Sequence, residues 1–168
     1  MPPSRVLTWA EATEAAAGAR LRGTPVVFTN GCFDLLHPGH LHVLRSARAL
    51  GGLLIVGVNS DESVRRLKGP ARPLLPLRAR MDLLSELRCV DGVVPFEEDT
   101  PLELIRTILP DILVKGGDYR PDAVIGGEVV ESRGGRVVII PLLDGFSTTQ
   151  LAVTASRSDQ STQTPLDG

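Results

Sequence analysis

Residues 26 to 40 read Val26-Val27-Phe28-Thr29-Asn30-Gly31-Cys32-Phe33-Asp34-Leu35-Leu36-His37-Pro38-Gly39-His40. The apolar run Val26 to Phe28 has the character of a buried strand, and Asn30-Gly31 predicts a turn. From Pro38 onward, Leu41, Leu44, Ala47 and Leu50 recur at spacings that suit one face of a helix. Pro38 fits the first helical position, where its missing N–H is no loss. The stretch therefore predicts strand, tight loop and helix, with His37 and His40 on one side of the helix start. Unpaired N–H groups and the positive dipole end favour an anion there, so the pattern points to phosphate chemistry.

Other readings of the histidines carry less. A single His near a helix end is commonly a cap or a surface residue, and His-x-x-His is also a metal half-site. The chain has three histidines, all within residues 37 to 42. At 100° per residue, however, His42 lies roughly 140–160° around the helix from the other two. Cys32 and Cys89 form no C-x-x-C unit, so no protein-held metal is expected.

The chain has 168 residues, and its 18 Lys and Arg against 20 Asp and Glu give a net charge of −2. That balance gives no electrostatic footprint for nucleic acid. With no signal-peptide core, no membrane-spanning run and two isolated cysteines, the expectation is a cytoplasmic domain with no membrane partner.

Outward from the opening stretch, a capping box at Thr8 to Glu11 starts an Ala-rich helix over 8–22, which Gly23 closes. Strands are expected at 26–28, 53–58, 90–95, 111–114 and 136–141. Helices are expected at 38–50, around Val64 and Leu67, at 77–88, from a capping box at Thr100 to Glu103, and at about 122–132. Ser147 is a good cap for a last short helix. Residues 68–76 hold three prolines and a glycine, so they read as a loop, and it carries Lys68 and Arg72. The expected organisation is one domain over 1–156 and a disordered polar tail over 157–168.

Strands alternating with helices define an α/β, doubly wound, Rossmann-like fold. The expected sheet is parallel and five-stranded, in the order 3-2-1-4-5, with helices on both faces. Such folds bind ligands at the carboxyl ends of their strands. Thr29 to His40, Asn59 to Asp61, Lys115 to Asp118 and Ser147 to Thr149 all fall at such ends. A Walker A loop and a G-x-G-x-x-G fingerprint are both absent.

His37-Pro38-Gly39-His40, preceded by Phe33-Asp34, resembles the H-x-G-H signature of the nucleotidyltransferase superfamily. Ser147-Thr148-Thr149 resembles the phosphate-binding turn near the end of the same fold. The finer similarity is to the heptose 1-phosphate adenylyltransferase domain family. It is carried by residues 28–37, Val58 to Asp61, Arg66 to Gly69, Arg72-Pro73, 97–101, 109–111, 114–119 and 145–149, within a resemblance spanning about residues 5–155. In many members this domain is fused to a sugar kinase, and a chain of this length looks like the stand-alone form. Gly51-Gly52 replaces a glycine-aspartate pair. Leu142-Leu143-Asp144 stands where glycerol-phosphate cytidylyltransferases carry an arginine, which weighs against that relative.

The resemblance implies attack of a sugar 1-phosphate on the α-phosphorus of ATP, with Mg²⁺ held mainly by ATP phosphates and a homodimer as the assembly. It implies catalytic roles for His37, His40, Lys68 and Arg80. Nucleotide contacts fall to Thr29, Asn30, Gly31, Cys32, Phe33, Lys115, Gly116, Asp118, Ser147, Thr148 and Thr149. Asp34 and Arg72 are assigned to the acceptor. Read from the residues alone, several of these have plainer alternatives. Lys68 could be a solvated surface lysine and Arg80 an ion-pair partner of Asp82 or Glu86. Asp34 could cap the following turn, 115–118 could be a strand-end turn, and Cys32 a small residue at a tight spot. Two further functions stay open: a cytidylyltransferase acting on glycerol 3-phosphate or another polyol phosphate, and a nucleotide-binding module without turnover.

Overall fold

The structure is a computed structural model that describes residues 5–143. The expectations for Ser147 to Thr149 and for the polar tail lie outside these residues. The elements run α1 (Trp9–Leu21), β1 (Val26–Gly31), α2 (Pro38–Ala49), β2 (Leu53–Asn59), α3 (Asp61–Lys68) and α4 (Leu77–Ser85). They continue β3 (Gly92–Phe96), α5 (Leu102–Ile108), β4 (Ile112–Gly116), a 3₁₀ turn (Pro121–Ala123), α6 (Gly127–Glu131) and β5 (Arg136–Ile140).

All strand pairs are parallel, as the alternation of strand and helix predicts, and they stand in the expected order β3-β2-β1-β4-β5. Continuous apolar strands serve both faces of this sheet. Val26 and Phe28 join Ala12, Ala16, Leu104 and Ile105 in a core beneath α1 and α5. Val27, Leu54 and Val56 turn the other way, towards Leu44 of α2 and Leu84 of α4. Phe28 is fully buried, and burying a phenyl ring stabilises by about 1.5–3 kcal/mol. Two carboxylates satisfy strand N–H groups at the sheet's amino edge. Asp111 Oδ2 accepts from Val26 N at 2.8 Å, and Asp91 Oδ2 accepts from Leu54 N at 2.8 Å.

Four local readings need correction. The chain does not turn at Asn30-Gly31. Both stay in the ladder, opposite Gly57 and Val58, and the corner falls at Phe33, at φ 46°. α5 begins one residue later than read, with Pro101 as its N-cap and no side-chain cap bond, and Thr100 lines a cavity. α4 ends at Ser85, so its last turn gives way early to the crossover into β3. The helix expected over 122–132 is split, because Gly126 takes φ 87° between the 3₁₀ turn and α6. Among the described residues, no helix is long and apolar enough to cross a membrane.

Candidate active site

At the carboxyl edge of β1 and β4 lie two adjoining cavities of about 340 and 400 Å³. Asn30, Gly31, Cys32, Lys68, Lys115 and Tyr119 line both. This is where the direction of strand order reverses, the crevice in which open α/β sheets take ligands.

The smaller cavity is floored by the start of α2. His37 is the N-cap residue in extended conformation, with Pro38 at the first helical position, so the helix starts where the sequence predicts. His37 forms no cap hydrogen bond, which leaves its ring free to stack on His40 at a centroid distance of 3.8 Å and 27°. Phe33 also packs against His40, at 5.2 Å and 56°. Burial disfavours the charged form of both imidazoles. His40 is pushed down to about 4 by desolvation and then by its neighbour His37. His37 is lowered by burial, and its Nδ1 has no hydrogen-bond partner among the described residues. At neutral pH the pair is thus two uncharged rings, each carrying one N–H donor.

The charge comes from lysines. Lys68 ends α3 and Lys115 sits in β4, where its Nζ lies 5.6 Å from the Tyr119 ring. Burial, and secondarily Lys68, lower the Lys115 pKa. Thr29, Phe33, Gly39, Val43, Gly116 and Leu142 complete the smaller cavity, and among the described residues no carboxylate lines it. The larger one adds Asn59, Thr100 and Pro101, with Leu67, Val124 and Ile125 as an apolar rim. Among the described residues its one acidic lining residue, Asp99, is paired with Arg66 at 2.7 Å. Burial pushes the Cys32 thiol up, which suits a small residue at a tight spot rather than a nucleophile.

Four expected site residues lie elsewhere. Asp118 is exposed and lines neither cavity. Asp34 and Arg72 face each other: Arg72 Nη1 lies 3.0 Å from Asp34 Oδ2, while Asp34 Oδ1 accepts from Leu74 N and Leu75 N at 2.7 and 3.0 Å. With Asp34 2% exposed, this pair pins the 69–76 loop to the β1–α2 turn, and neither residue lines a cavity. Arg80 is fully buried beneath that turn with its nitrogens bonded to the protein, and it touches neither Asp82 nor the cavities. The sequence reading missed Tyr119 and Leu142 as lining residues. Tyr119 had a signal in its place after β4, and Leu142 had none.

Among the described residues, no group of three or more His, Cys, Asp and Glu side chains converges as a metal cage. With Asp34 committed to Arg72 and two backbone N–H groups, this donor set suits a cation that arrives on phosphate oxygens.

Lysines and paired imidazoles gathered at the switch point of a 3-2-1-4-5 sheet define a nucleotide-handling Rossmann-like protein. Residues 28–162 match the model of the cytidylyltransferase-like family. The chain belongs to that family, one of nucleotidyltransferases. It is 62% identical over 132 residues to the bifunctional protein HldE of Syntrophotalea carbinolica, covering 79% of this chain and 27% of that protein. The HldE of Trichlorobacter lovleyi is 60% identical over 139 residues, 83% of this chain and 28% of the other. That of Coxiella burnetii is 57% identical over 137 residues, 82% and 29%. This chain therefore spans little more than a quarter of the length of these relatives. Among solved structures, a lipopolysaccharide core biosynthesis protein from Thermoplasma volcanium is similar at TM-score 0.59 and 31% identity, covering 72% of this chain and 98% of that one.

Proposed function

We propose that the protein transfers AMP from ATP to a heptose 1-phosphate, giving ADP-heptose and pyrophosphate. The observation that carries the anionic substrates is the smaller cavity, lined by two lysines and two histidines and, among the described residues, by no carboxylate, in a chain of net charge −2. The acceptor class rests on the resemblance of residues 28–37, 66–69 and 97–101 to heptose 1-phosphate adenylyltransferases, and on the similarity to HldE proteins.

In this reading the triphosphate lies in the smaller cavity and the sugar 1-phosphate in the larger. Lys68 and Lys115, which line both, sit where the two phosphates meet. An acceptor phosphate oxygen attacks the α-phosphorus, a new P–O bond forms, and the bond to the β-phosphate bridging oxygen breaks. The electron pair leaves with pyrophosphate, so no enzyme nucleophile is required. His37 and His40 donate N–H hydrogen bonds to α-phosphate oxygens, and these strengthen as negative charge spreads in the five-coordinate transition state. The lysines neutralise the phosphates. Mg²⁺ would be carried by triphosphate oxygens and would supply further neutralisation of the leaving group. Ser147, Thr148 and Thr149 are assigned to the β and γ phosphates by sequence resemblance alone.

The test is pyrophosphate release with Mg²⁺, offering ATP or CTP against heptose 1-phosphate or glycerol 3-phosphate. Release with ATP and the heptose alone is the expected result. Release with CTP and glycerol 3-phosphate instead would overturn both base and acceptor.

A further inference from the structure

The turn that carries His37 is gripped from below by a single guanidinium. Arg80 is 0% exposed. Its Nε donates to the Leu75 carbonyl at 3.0 Å, and Nη1 donates to the carbonyls of Cys32 at 2.6 Å and Asn59 at 2.9 Å. Nη2 donates to Asp61 Oδ1 at 2.7 Å. One side chain thus joins the end of β2, the first residue of α3, the 69–76 loop and the β1–α2 turn. All three nitrogens are engaged by protein oxygens, so Arg80 does not reach out to a substrate.

The grip falls at a strained point. Phe33 is a non-glycine residue at φ 46°, a left-handed conformation that persists only where its surroundings over-determine it. Its two neighbours are both clamped. Arg80 holds the Cys32 carbonyl on one side, while Arg72, Leu74 N and Leu75 N hold the Asp34 carboxylate on the other. The corner aims the Phe33 ring at His40, 5.2 Å away, and His40 in turn stacks on His37 at 3.8 Å.

We infer that Arg80 is a positioning residue for the histidine pair. It fixes the Cys32-Phe33-Asp34 corner, and through the Phe33 ring it holds His40 against His37. A lysine cannot replace it, because one ammonium cannot meet three carbonyls and a carboxylate set around a planar fork. The effect on turnover rests on the function proposed above; the effect on the rings does not.

The test uses Arg80→Lys and, as a second variant that leaves every Arg80 hydrogen bond in place, Phe33→Leu. The readouts are the histidine ring ¹H–¹⁵N signals of the ligand-free protein, together with kcat and the KM for ATP. Both variants are expected to shift the His37 and His40 ring signals while leaving those of His42, on the same helix, in place. They are expected to lower kcat by about 10- to 100-fold, as loss of reacting geometry does, with the KM for ATP within about threefold. Folded Arg80→Lys protein whose His37 and His40 signals match the wild type would overturn the inference, whatever its turnover. If Arg80→Lys does not fold, unshifted ring signals in Phe33→Leu would overturn it equally. A wild type that turns over no pairing of nucleotide and acceptor would sink the proposed function, and the ring signals would still decide the role of Arg80.

Discussion

A half-buried imidazole that stays neutral is a hydrogen-bond donor whose availability depends on pH. His40 titrates near 6.5 when exposed and at about 4 in the fold, where burial and His37 both oppose its charge. Between those values the unfolded chain binds more protons than the folded one, so stability falls as pH drops from 6.5 towards 4. The melting temperature of the ligand-free protein should therefore decline through this window, and His40→Ala should show a shallower decline. An equal slope in the two proteins would remove His40 from the explanation. At this scale the histidines were legible because H-x-G-H has fixed spacing and a proline sets the helix start. Arg80 was not, because Asp82 and Glu86 stand near it in sequence and offered the cheaper explanation of a surface pair. Its true acceptors, the carbonyls of Cys32, Asn59 and Leu75 and the carboxylate of Asp61, come from segments 5 to 48 positions away. Backbone carbonyls brought together by the fold leave no mark in the sequence.

Elements were legible where pattern and packing agree. The capping box on α1 forms as read, with Glu11 N donating to Thr8 Oγ1 and Thr8 N donating to Glu11 Oε2. The apolar strands pair in the expected parallel order. Readings failed where a single residue did two jobs. Thr100 carries a capping-box signature but lines the larger cavity. Asn30-Gly31 has the composition of a turn, yet it continues β1, and Gly57 opposite Asn30 leaves space for the Phe28 ring and the Asn30 side chain, which a Cβ at 57 would meet at 2.8 and 3.3 Å. Gly126 breaks the helix expected over 122–132, since its left-handed φ turns the chain so that Val124 and Ile125 rim the larger cavity. A Cβ there would lie 2.5 Å from Ile105 Cδ1. Gly126→Ala should therefore destabilise by about 1–3 kcal/mol, combining backbone strain with overpacking. The check is a lower denaturant midpoint at unchanged m-value, and an unmoved midpoint would show that the turn relaxes freely.

Across the whole molecule, the sheet order puts every strand's carboxyl end on one edge and so gathers residues far apart in sequence. His37 and His40 arrive on α2, Lys68 on α3 and Lys115 on β4. The protein is net negative, yet the described residues leave the smaller cavity without a carboxylate, so an anion meets cations and neutral donors there. The fold class followed from periodicity, and this convergence from the H-x-G-H spacing, the places of the residues after their strands and the family resemblance. The division into two cavities did not, because it depends on where Thr100, Tyr119 and the 123–125 segment come to rest. In the proposed reaction the gathered imidazoles stabilise charge developing on the α-phosphate rather than merely binding ATP. The most direct measurement is kcat for His40→Ala beside its ATP affinity by calorimetry. The expected result is a fall in kcat of roughly two to four powers of ten with ATP affinity within about tenfold, the signature of a lost transition-state contact. Turnover at nearly the wild-type rate, or an affinity loss as large as the rate loss, would contradict it.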